Sequence, residues 1–471
     1  MDSRTRHATA SRTLAVITPM EHQLACARHW VQCRRGFNNG DPGTGKTISS
    51  LMGYRDSMKG RMLVVAPLSI LRPAWGADID KALEGFSWAV ATQPAANRIK
   101  AFESGADIVL INHDGVKWLA DNLHYLDSFS HGTVDEYTAF KNRTTHRSKA
   151  MAKIAGKLEY ILLLSGTPNS NKITDLWFPA SLVDGGARLG RQFHKFQRET
   201  CEARPVPGVS DPRAVEWVEK PGARDAVAIL LNDITIRHTL EDCVDIPENT
   251  VHMMHVDMPA SIMRQYKILE KEAVLALEEG TITAIHAGSK TKKILQLLTG
   301  AVYDAEGKIV KVHNERYKLV IDLLLQREHS IVAFNFRHER EELCKLAESA
   351  GLTYAVIDGS VTPAQRLEAV DAFQRGDLNV IFAHPQSAGH GLTLTRGTTT
   401  IWASPTYNAE HFQQFNARIY RKGQTQKTET ICICANNTKE EDVYDKLNGK
   451  LERMQDLLAI FASQTRMETA A

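Results

Sequence analysis

Residues 40–47 read Gly-Asp-Pro-Gly-Thr-Gly-Lys-Thr, which is the complete pattern G-x-x-x-x-G-K-T. In this pattern, glycines such as Gly43 and Gly45 let backbone N–H groups wrap around phosphates at the N-terminus of a helix. The ammonium of Lys46 then reaches the β and γ phosphates, and the hydroxyl of Thr47 ligates Mg²⁺. The stretch therefore predicts the phosphate-binding loop of an α/β domain.

The residues on either side of the loop give mixed support to this interpretation. A helix over 48–52 follows the loop, as phosphate binding requires, but the preceding residues 34–39, RRGFNN, are a poor strand. A chance glycine-rich turn is the alternative, and it stays open on the local sequence alone.

Short apolar runs recur along the chain, each bounded by turn residues and followed by a helical pattern. Runs of this kind are typical of buried parallel strands in βα units. They cover 62–66, 107–112, 160–164, 331–336, 353–357, 379–383, 399–403 and 429–434. The runs predict two α/β blocks, roughly 15–240 and 257–450.

One helix of the second block has strong boundary signals. Thr362 is its predicted N-cap, a proline follows in the first turn, and Gly376 ends it. Leu367, Val370 and Phe373 fall on one face of this helix.

Between about 171 and 315 the pattern changes, because strand-like runs thin out and prolines cluster in a short span. This part of the chain predicts helical elaborations and a linker between the two blocks.

Composition limits the class of protein. The chain has 471 residues, a net charge of +2, 43% hydrophobic and 24% charged residues, as in ordinary globular proteins. Seven cysteines without a CxxC pair indicate neither a disulfide framework nor a zinc site. No apolar run reaches the length of a membrane span, and the N-terminus lacks a signal-peptide core. We expect a reduced, cytoplasmic protein without membrane contact.

Charge is distributed unevenly around residues 137–158, which contain six lysines and arginines and no acid. A solvated basic helix face is one interpretation, and a surface that contacts phosphates is the other.

An adjacent acidic pair, Asp135 and Glu136, lies farther along the first block than the loop. At the end of a strand, one carboxylate can hold a metal ion and its neighbour can polarise the attacking water, which is what hydrolysis of a nucleoside triphosphate needs. An ordinary solvated surface pair is the alternative, since the residues before the pair form a weak strand.

Two further patterns have the chemistry of phosphate sensing. The residues LSGTPN at 164–169 place small hydroxyl side chains at a strand end, where an ordinary β-turn is the alternative. In the second block, Arg418 and Arg421 follow Gln414 and lie on one helix face. Such bidentate cations suit transition-state phosphate charge, although a surface pair of arginines has the same spacing.

Taken in order, these four patterns resemble those of the superfamily-two helicases and translocases, and finer details resemble the Swi/Snf branch. The matching stretches are MEHQ at 20–23, LVVAPLSILRPAW at 63–75, DEYTAFKN at 135–142, IRHTLEDCVDIPENT at 236–250, SAGHGLTLT at 387–395 and ARIYRKGQTQ at 417–426. The resemblance covers roughly residues 14–450.

The resemblance implies ATP and Mg²⁺ as ligands, with a site split between two lobes. It implies that Gln23 reads the adenine, and that phosphate and Mg²⁺ are bound by Gly43, Gly45, Lys46 and Thr47. It further implies that Asp135 holds the metal through water and that Glu136 is the general base. From the second lobe, the γ-phosphate would be reached by Gln414, Arg418 and Arg421, with Arg421 as the arginine finger.

The same resemblance implies that both lobes contact a nucleic-acid backbone across their tops, with little sequence specificity. The candidate residues are Ser69, Lys141, Asn142, Arg337 and Thr393.

Some positions depart from the family pattern. Tyr137 and Thr138 replace the usual Ala-His of the acidic box, so a role of that histidine cannot be transferred. Ala417 stands where glycine or aspartate is usual, and residues 407–409 read Tyr-Asn-Ala where Trp-Asn-Pro is usual. None of these changes removes a group that hydrolysis needs.

We therefore expect an α/β protein of two tandem RecA-like parallel-sheet lobes with helical insertions between them. The expected boundaries are 14–170 for lobe 1, 171–256 for a helical elaboration and linker, 257–315 for a helical insertion of lobe 2, 316–450 for lobe 2, and 451–471 for a C-terminal helix and tail.

The expected function is ATP-driven translocation on double-stranded or branched DNA, which would serve branch migration, fork regression or protein displacement. Replication or recombination proteins are the expected partners. The chain is as compact as bacterial or phage members of the family, so we expect the protein at the nucleoid, or in the host cytoplasm if a phage encodes it. A strand-separating DNA or RNA helicase and an ATP-switched DNA-binding scaffold are the alternatives.

Overall fold

The computed structural model describes residues 17–168, 172–205, 214–278, 284–304, 306–388 and 391–470. Parts of two quoted motifs, Asn169 and the pair 389–390, lie outside the described residues, as do residues 14–16 of the first predicted lobe.

The strands are β1 (Arg35–Asn38), β2 (Arg61–Ala66), β3 (Trp88–Ala91), β4 (Ile108–Asn112), β5 (Phe129–Asp135), β6 (Tyr160–Leu164), β7 (Cys201–Pro205), β8 (Val215–Glu219), β9 (Thr235–Ile236), β10 (Asn249–Val256), β11 (Ala301–Tyr303), β12 (Ile309–Lys311), β13 (Ser330–Ala333), β14 (Tyr354–Ile357), β15 (Val380–Ala383), β16 (Thr399–Trp402) and β17 (Thr428–Ala435). The helices are α1 (Glu21–Cys33), α2 (Lys46–Ser57), α3 (Ala77–Ala82), α4 (Ala95–Glu103), α5 (Val116–Ala120), α6 (His146–Ala155), α7 (Trp177–Asp184), α8 (Phe193–Thr200), α9 (Ala223–Leu231), α10 (Leu240–Cys243), α11 (Ala260–Glu278), α12 (Ala284–Leu298), α13 (Glu315–Leu325), α14 (Arg337–Ser349), α15 (Pro363–Arg375), α16 (Pro385–Ala388), α17 (Ala409–Asn416) and α18 (Lys439–Ala470).

Two parallel sheets form the two lobes. The first has the strand order β3-β4-β2-β5-β6-β1-β9, and the second has the order β10-β17-β16-β13-β15-β14. Alternate residues of β2 enter different cores, Leu63 and Val65 on one face and Met62 and Val64 on the other, as expected of a strand covered by helices on both sides. The predicted fold class is confirmed.

The two segments that looked like weak strands, β1 and β5, are both interior strands of the first sheet. In β1, a Cβ at Gly36 would lie 2.5 Å from the carbonyl oxygen of Ile234, so the close approach of the chain entering β9 requires glycine there. In β5, His131 and Thr133 are buried, but Ser57 and Ser50 satisfy them with hydrogen bonds of 2.6 and 2.7 Å. Paired polar side chains conceal this strand from a hydropathy pattern.

Within the described residues, the stretch from 171 to 315 holds helices α7 to α12, but it is not helical throughout. It contains the antiparallel hairpins β7-β8 and β11-β12. It also contains β9, which pairs with β1 in the first sheet, and β10, which is the edge strand of the second sheet beside β17. Edge strands carry fewer apolar residues, and here His252 and His255 interrupt the pattern of β10.

Helix α15 has the predicted boundaries, since the Thr362 hydroxyl caps it and Gly376 ends it with a φ of 92°. On the face that carries the apolar residues, Leu367 is 58% exposed whereas Phe373 is buried. The helix packs beside β14, the last strand of the sheet, so only a narrow core lies beneath it.

Helix α18 belongs to both lobes. Near its start, Tyr444 and Leu447 pack in the core of the second lobe. Farther along, Leu457 and Phe461 pack in the core of the first lobe. Within the described residues, no helix combines the length and the apolar character needed to cross a membrane.

Candidate active site

The loop at 40–47 joins the end of β1 to the start of α2. Gly43 and Gly45 have φ angles of 93° and 79°, in the left-handed region that favours glycine. The Lys46 ammonium donates hydrogen bonds of 2.7 and 3.0 Å to the carbonyl oxygens of Gly40 and Asp41. The lysine therefore lies within the curve of the loop, with the N-terminus of α2 beside it.

Gln23 packs directly on this loop, since a Cβ at Gly45 would lie 2.1 Å from its Nε2 atom. The amide of Gln23 donates a hydrogen bond of 3.3 Å to the Thr44 carbonyl oxygen and accepts one of 3.0 Å from the Met20 N–H. Neighbouring His22 approaches the same carbonyl oxygen at 2.8 Å. Helix α1, which carries Gln23, thus places this side chain against the phosphate-binding loop.

The acidic pair lies where β5 ends. The Asp135 carboxylate accepts hydrogen bonds from the Trp75 indole at 2.9 Å and from the Glu136 N–H at 3.1 Å. His113 Nε2 lies 2.9 Å from the Asp135 carbonyl oxygen. Glu136 itself has a φ of 51°, an uncommon conformation for a residue other than glycine, which turns the chain sharply after the strand.

The charge of Lys46 in the phosphate-binding loop affects the pKa values of both acids, Asp135 and Glu136. Burial raises the pKa of Asp135, and the Trp75 hydrogen bond and the charge of Lys46 oppose this shift. Burial raises the pKa of Glu136 to about 8, with contributions from Asp135 and Glu410, while Lys46 and Arg418 lower it. Burial also lowers the pKa of Lys46. Glu136 thus interacts electrostatically with groups from both lobes.

The oxygen donors at this place suit Mg²⁺. Thr47 offers a hydroxyl in the first turn of α2, and Asp135 offers a carboxylate. Mg²⁺ is commonly held by one or two such side chains together with substrate phosphates and water. No group of three or more His, Cys, Asp or Glu residues that could hold a metal ion occurs in the described part of the chain.

The turn after β6 touches both the loop and the acidic pair. The Ser165 hydroxyl donates a hydrogen bond of 3.4 Å to Glu136 Oε2, and it accepts one of 3.0 Å from the Thr167 N–H. A Cβ at Gly166 would lie 2.9 Å from Cδ of Pro42, so the turn packs closely on the phosphate-binding loop.

Two arginines of the second lobe face this site. Arg418 donates hydrogen bonds to the carbonyl oxygens of Gln414 at 2.7 Å and Leu392 at 3.1 Å, and Arg421 donates to the Leu392 carbonyl oxygen at 2.6 Å. Burial lowers the pKa of Arg418 to about 9, Arg421 adds to this shift, and Glu136 opposes it. A Cβ at Gly43 would lie 3.4 Å from Cβ of Arg421, so the base of the Arg421 side chain lies directly against the phosphate-binding loop.

The Gln414 amide donates a hydrogen bond of 3.3 Å to Oε1 of Glu410. The same oxygen accepts a hydrogen bond of 3.0 Å from the Thr138 hydroxyl of the first lobe. Glu410 was not predicted as a site residue, because an isolated acid on a helix surface carries no signal of a partner in another lobe. Trp75 was not predicted as one either, although this residue lies in a quoted motif.

The residues predicted to contact nucleic acid lie mainly at the surface. Ser69, Asn142, Arg337 and Thr393 are exposed, whereas Lys141 is half-buried and forms an ion pair of 3.4 Å with an aspartate. The segments that carry two of them touch across the lobes, since a Cβ at position 391 would lie 2.5 Å from a side-chain carbon of the isoleucine at 70. Ser69 and Thr393 therefore lie on adjoining surfaces of opposite lobes.

The basic run at 137–158 is partly neutralised by acids from neighbouring segments. Arg147 pairs with Asp114, and Lys157 lies 3.9 Å from Asp127. Arg143 stacks over the ring of Phe193, with 4.6 Å between the guanidinium and the ring centroid. The run is a mixed surface rather than a uniformly positive one.

Comparisons with known proteins agree with this organisation. The family model described as the SNF2-related domain matches residues 22–302, and the helicase conserved C-terminal domain matches residues 315–423. "Putative protein p41" of Acyrthosiphon pisum secondary endosymbiont phage 1 is 30% identical, over 94% of this chain and 98% of that protein.

Two larger relatives and a solved structure are more distant. The human "DNA annealing helicase and endonuclease ZRANB3" is 25% identical over 87% of this chain and 37% of its own length. The mouse "Chromodomain-helicase-DNA-binding protein 1-like" is 23% identical over 89% of this chain and 47% of its own length, so the chain spans less than half of either relative. The Sulfolobus solfataricus SWI2/SNF2 ATPase core in complex with double-stranded DNA is 18% identical, with 97% and 96% coverage and a TM-score of 0.43.

Proposed function

The chain belongs to the SNF2-related family and is a DNA-dependent ATPase of superfamily two, and we propose that it uses ATP and Mg²⁺ to move along double-stranded DNA. The observation that carries this proposal is the position of Arg418 and Arg421, which face the phosphate-binding loop and Glu136 from the second lobe. A site completed by two lobes links hydrolysis to their relative movement.

We assign the chemistry to residues of both lobes. Lys46 and the loop N–H groups bind the phosphates, Thr47 and Asp135 hold Mg²⁺, and Glu136 accepts a proton from the attacking water. Bound Mg²⁺ supplies charge neutralisation at the β and γ phosphates.

The arginines act on the transition state of the same step. Arg421 stabilises the charge that develops on the γ-phosphate, and Arg418 supports it from the same helix end. Their present acceptor, the Leu392 carbonyl oxygen, is next to Thr393, which we propose as a DNA contact. A shift of the arginines toward ATP would therefore move the chain that touches DNA.

Duplex DNA is the proposed track, contacted through its backbone by Ser69, Asn142, Arg337 and Thr393, with Lys141 nearby. The similarity to a DNA annealing helicase supports DNA as the molecule on which the motor acts, and we propose branched DNA as one of its substrates. The outcome would be branch migration, fork regression or protein displacement, in concert with replication or recombination proteins.

The test is to measure ATP turnover without nucleic acid and with single-stranded DNA, duplex DNA, branched DNA or RNA. Displacement of a triplex-forming strand from a duplex would report translocation, and the Glu136→Gln variant is the control that binds ATP without hydrolysing it. We expect the strongest stimulation by duplex or branched DNA, with triplex displacement. Stimulation by single strands or RNA alone, with release of a labelled strand from a fork, would replace the proposal with a strand-separating helicase. ATP-dependent DNA binding without turnover would replace it with a scaffold.

A further inference from the structure

Arg237, which directly follows β9, holds the start of the phosphate-binding loop. Its Nη1 atom donates a hydrogen bond of 2.7 Å to the Asn39 carbonyl oxygen, and its Nη2 atom lies 2.8 Å from Oδ1 of Asp41. The Arg237 side chain is 8% exposed and that of Asp41 is 23% exposed. A charge-assisted contact with so little solvent around it is screened less than a surface ion pair.

The segment around Arg237 reinforces this attachment through its backbone. The Asn39 and Asp41 N–H groups donate hydrogen bonds of 2.9 and 3.0 Å to the carbonyl oxygens of Ile236 and His238. The second carboxylate oxygen of Asp41 accepts a hydrogen bond of 3.1 Å from the Leu240 N–H. The first half of the loop is thus fixed by the segment that leads from one lobe to the other.

The far end of α18 reaches the same residue. The backbone N–H of Arg237 donates a hydrogen bond of 3.1 Å to the Thr465 hydroxyl, which in turn donates one of 3.1 Å to the Phe461 carbonyl oxygen. The start of α18 is anchored in the second lobe, where Glu440 pairs with Arg316 and both side chains are fully buried. One helix therefore connects the second lobe to the residue that holds the loop.

We propose that Arg237 is a positioning residue of the ATPase, which sets the conformation of the phosphate-binding loop through Asn39 and Asp41. Its contact with Thr465 makes that conformation depend on α18 and so on the second lobe. The inference rests on ATP binding at residues 40–47 but not on translocation, and the side chains of Arg237, Asp41 and Thr465 are not among those assigned to chemistry or to DNA.

The geometry requires arginine at this position. A guanidinium offers several N–H donors in a rigid plane, so it contacts the Asn39 carbonyl oxygen and the Asp41 carboxylate together. Lysine would keep the charge but would present a single ammonium, and methionine would keep only the volume. Comparing arginine, lysine and methionine at position 237 therefore separates the effects of charge, donor geometry and packing.

The test measures binding of the fluorescent analogue mant-ATP with Mg²⁺, and kcat and KM for ATP with duplex DNA, in full-length Arg237→Lys, Arg237→Met and Asp41→Asn variants. We expect Arg237→Met to raise the Kd and KM about tenfold with a smaller change in kcat, and Arg237→Lys to be intermediate. Because the residues act as a pair, Arg237→Met should cost far less in the Asp41→Asn background.

Thr465→Val and Thr465→Ser test the link to α18 without touching the guanidinium. Valine keeps the branched shape and removes the hydroxyl, so we expect a rise of about threefold in the mant-ATP Kd, whereas serine should preserve wild-type affinity. Circular dichroism and duplex DNA affinity, which depend on the fold and not on the loop, should be unchanged in both variants.

The outcomes separate this inference from the proposed function. Wild-type protein that does not bind mant-ATP, or a Lys46→Ala variant that binds it normally, would overturn the ATP site itself. A folded Arg237→Lys variant whose Kd and KM stay within twofold of the wild type would overturn the role of Arg237. Equal Kd values for the two Thr465 variants would overturn the connection to α18.

Discussion

The Thr138 hydroxyl of the first lobe donates a hydrogen bond of 3.0 Å to Oε1 of Glu410 in the second lobe. Thr138 stands in the acidic box where the family pattern has histidine, two residues after Glu136. Glu410 also accepts a hydrogen bond from Gln414, and it helps to raise the pKa of Glu136. The contact between the lobes is therefore made by residues that adjoin the proposed catalytic base.

Breaking this contact should weaken the link between the lobes. In Thr138→Val the shape is kept and the donor is lost, so we expect DNA-stimulated kcat to fall about threefold to tenfold, because about 0.7–1.4 kcal/mol of stabilisation of the contact between the lobes disappears. Steady-state ATP turnover with saturating duplex DNA measures this fall in kcat. Thr138→Ser, which retains the hydroxyl, is the control, and equal kcat in the two variants would contradict the prediction.

The raised pKa of Glu136 makes stability depend on pH. In the folded chain this pKa is about 8, against the ordinary value of 4.5. Between these pH values the native chain therefore holds a proton that the unfolded chain has released. This group makes the native state progressively less stable as pH rises from about 4.5 to about 8.

Glu136→Gln removes that titration. We expect the urea midpoint of the wild type, relative to the variant, to fall as pH is raised from 6 to 8.5, which denaturation curves at several pH values would measure. Parallel pH dependence in both proteins would show that Glu136 titrates at its ordinary pKa.

Arg421 should act on the transition state more than on ATP binding. Replacing it with alanine should lower kcat by about 10³-fold or more, as for other arginine fingers, and change the mant-ATP Kd much less. Stopped-flow phosphate release measures the loss. Arg375→Ala, an exposed arginine of α15, is the matched control. A kcat within twofold of the wild type would exclude Arg421 from the reaction.

The buried pair of Arg316 and Glu440 should be essential to the second lobe. Glu440→Gln leaves the guanidinium without its counter-ion, which typically costs about 3–5 kcal/mol of folding free energy. Urea denaturation of the full chain measures it. The exposed pair of Arg375 and Asp377 provides the control, because Asp377→Asn should cost less than about 1 kcal/mol. Similar midpoints in both variants would contradict the prediction.

Gly449 lies in the interior of α18, where the nearest atom to an added Cβ is 3.5 Å away, at the end of the Arg453 side chain. Gly449→Ala should therefore stabilise the protein by about 0.5–1 kcal/mol, since alanine loses less backbone entropy in a helix. Gly53→Ala in α2 is the opposite case, because its Cβ would lie 2.7 Å from the Trp30 ring. Thermal melting should move in opposite directions for the two variants, and a lower melting point for Gly449→Ala would refute the first expectation.

Much of the fold could be predicted, because parallel strands that are buried on both faces consist of consecutive apolar residues. The runs at 62–66 and 160–164 are strands with almost the predicted bounds. β5 was weak in sequence because His131 and Thr133 find partners only after folding. β10 was missed because one side of an edge strand need not be apolar.

The amino-acid sequence by itself determined the loop at 40–47, the acidic pair and the spacing of the two arginines, since each is a local pattern whose chemistry depends on neighbouring residues. Only the tertiary structure decided that Thr138 meets Glu410, 272 residues away, and that Thr465 reaches Arg237 across 228 residues. Contacts of this kind depend on how two lobes and a shared helix pack together. Single polar residues on their surfaces carry no periodicity from which such packing could be inferred.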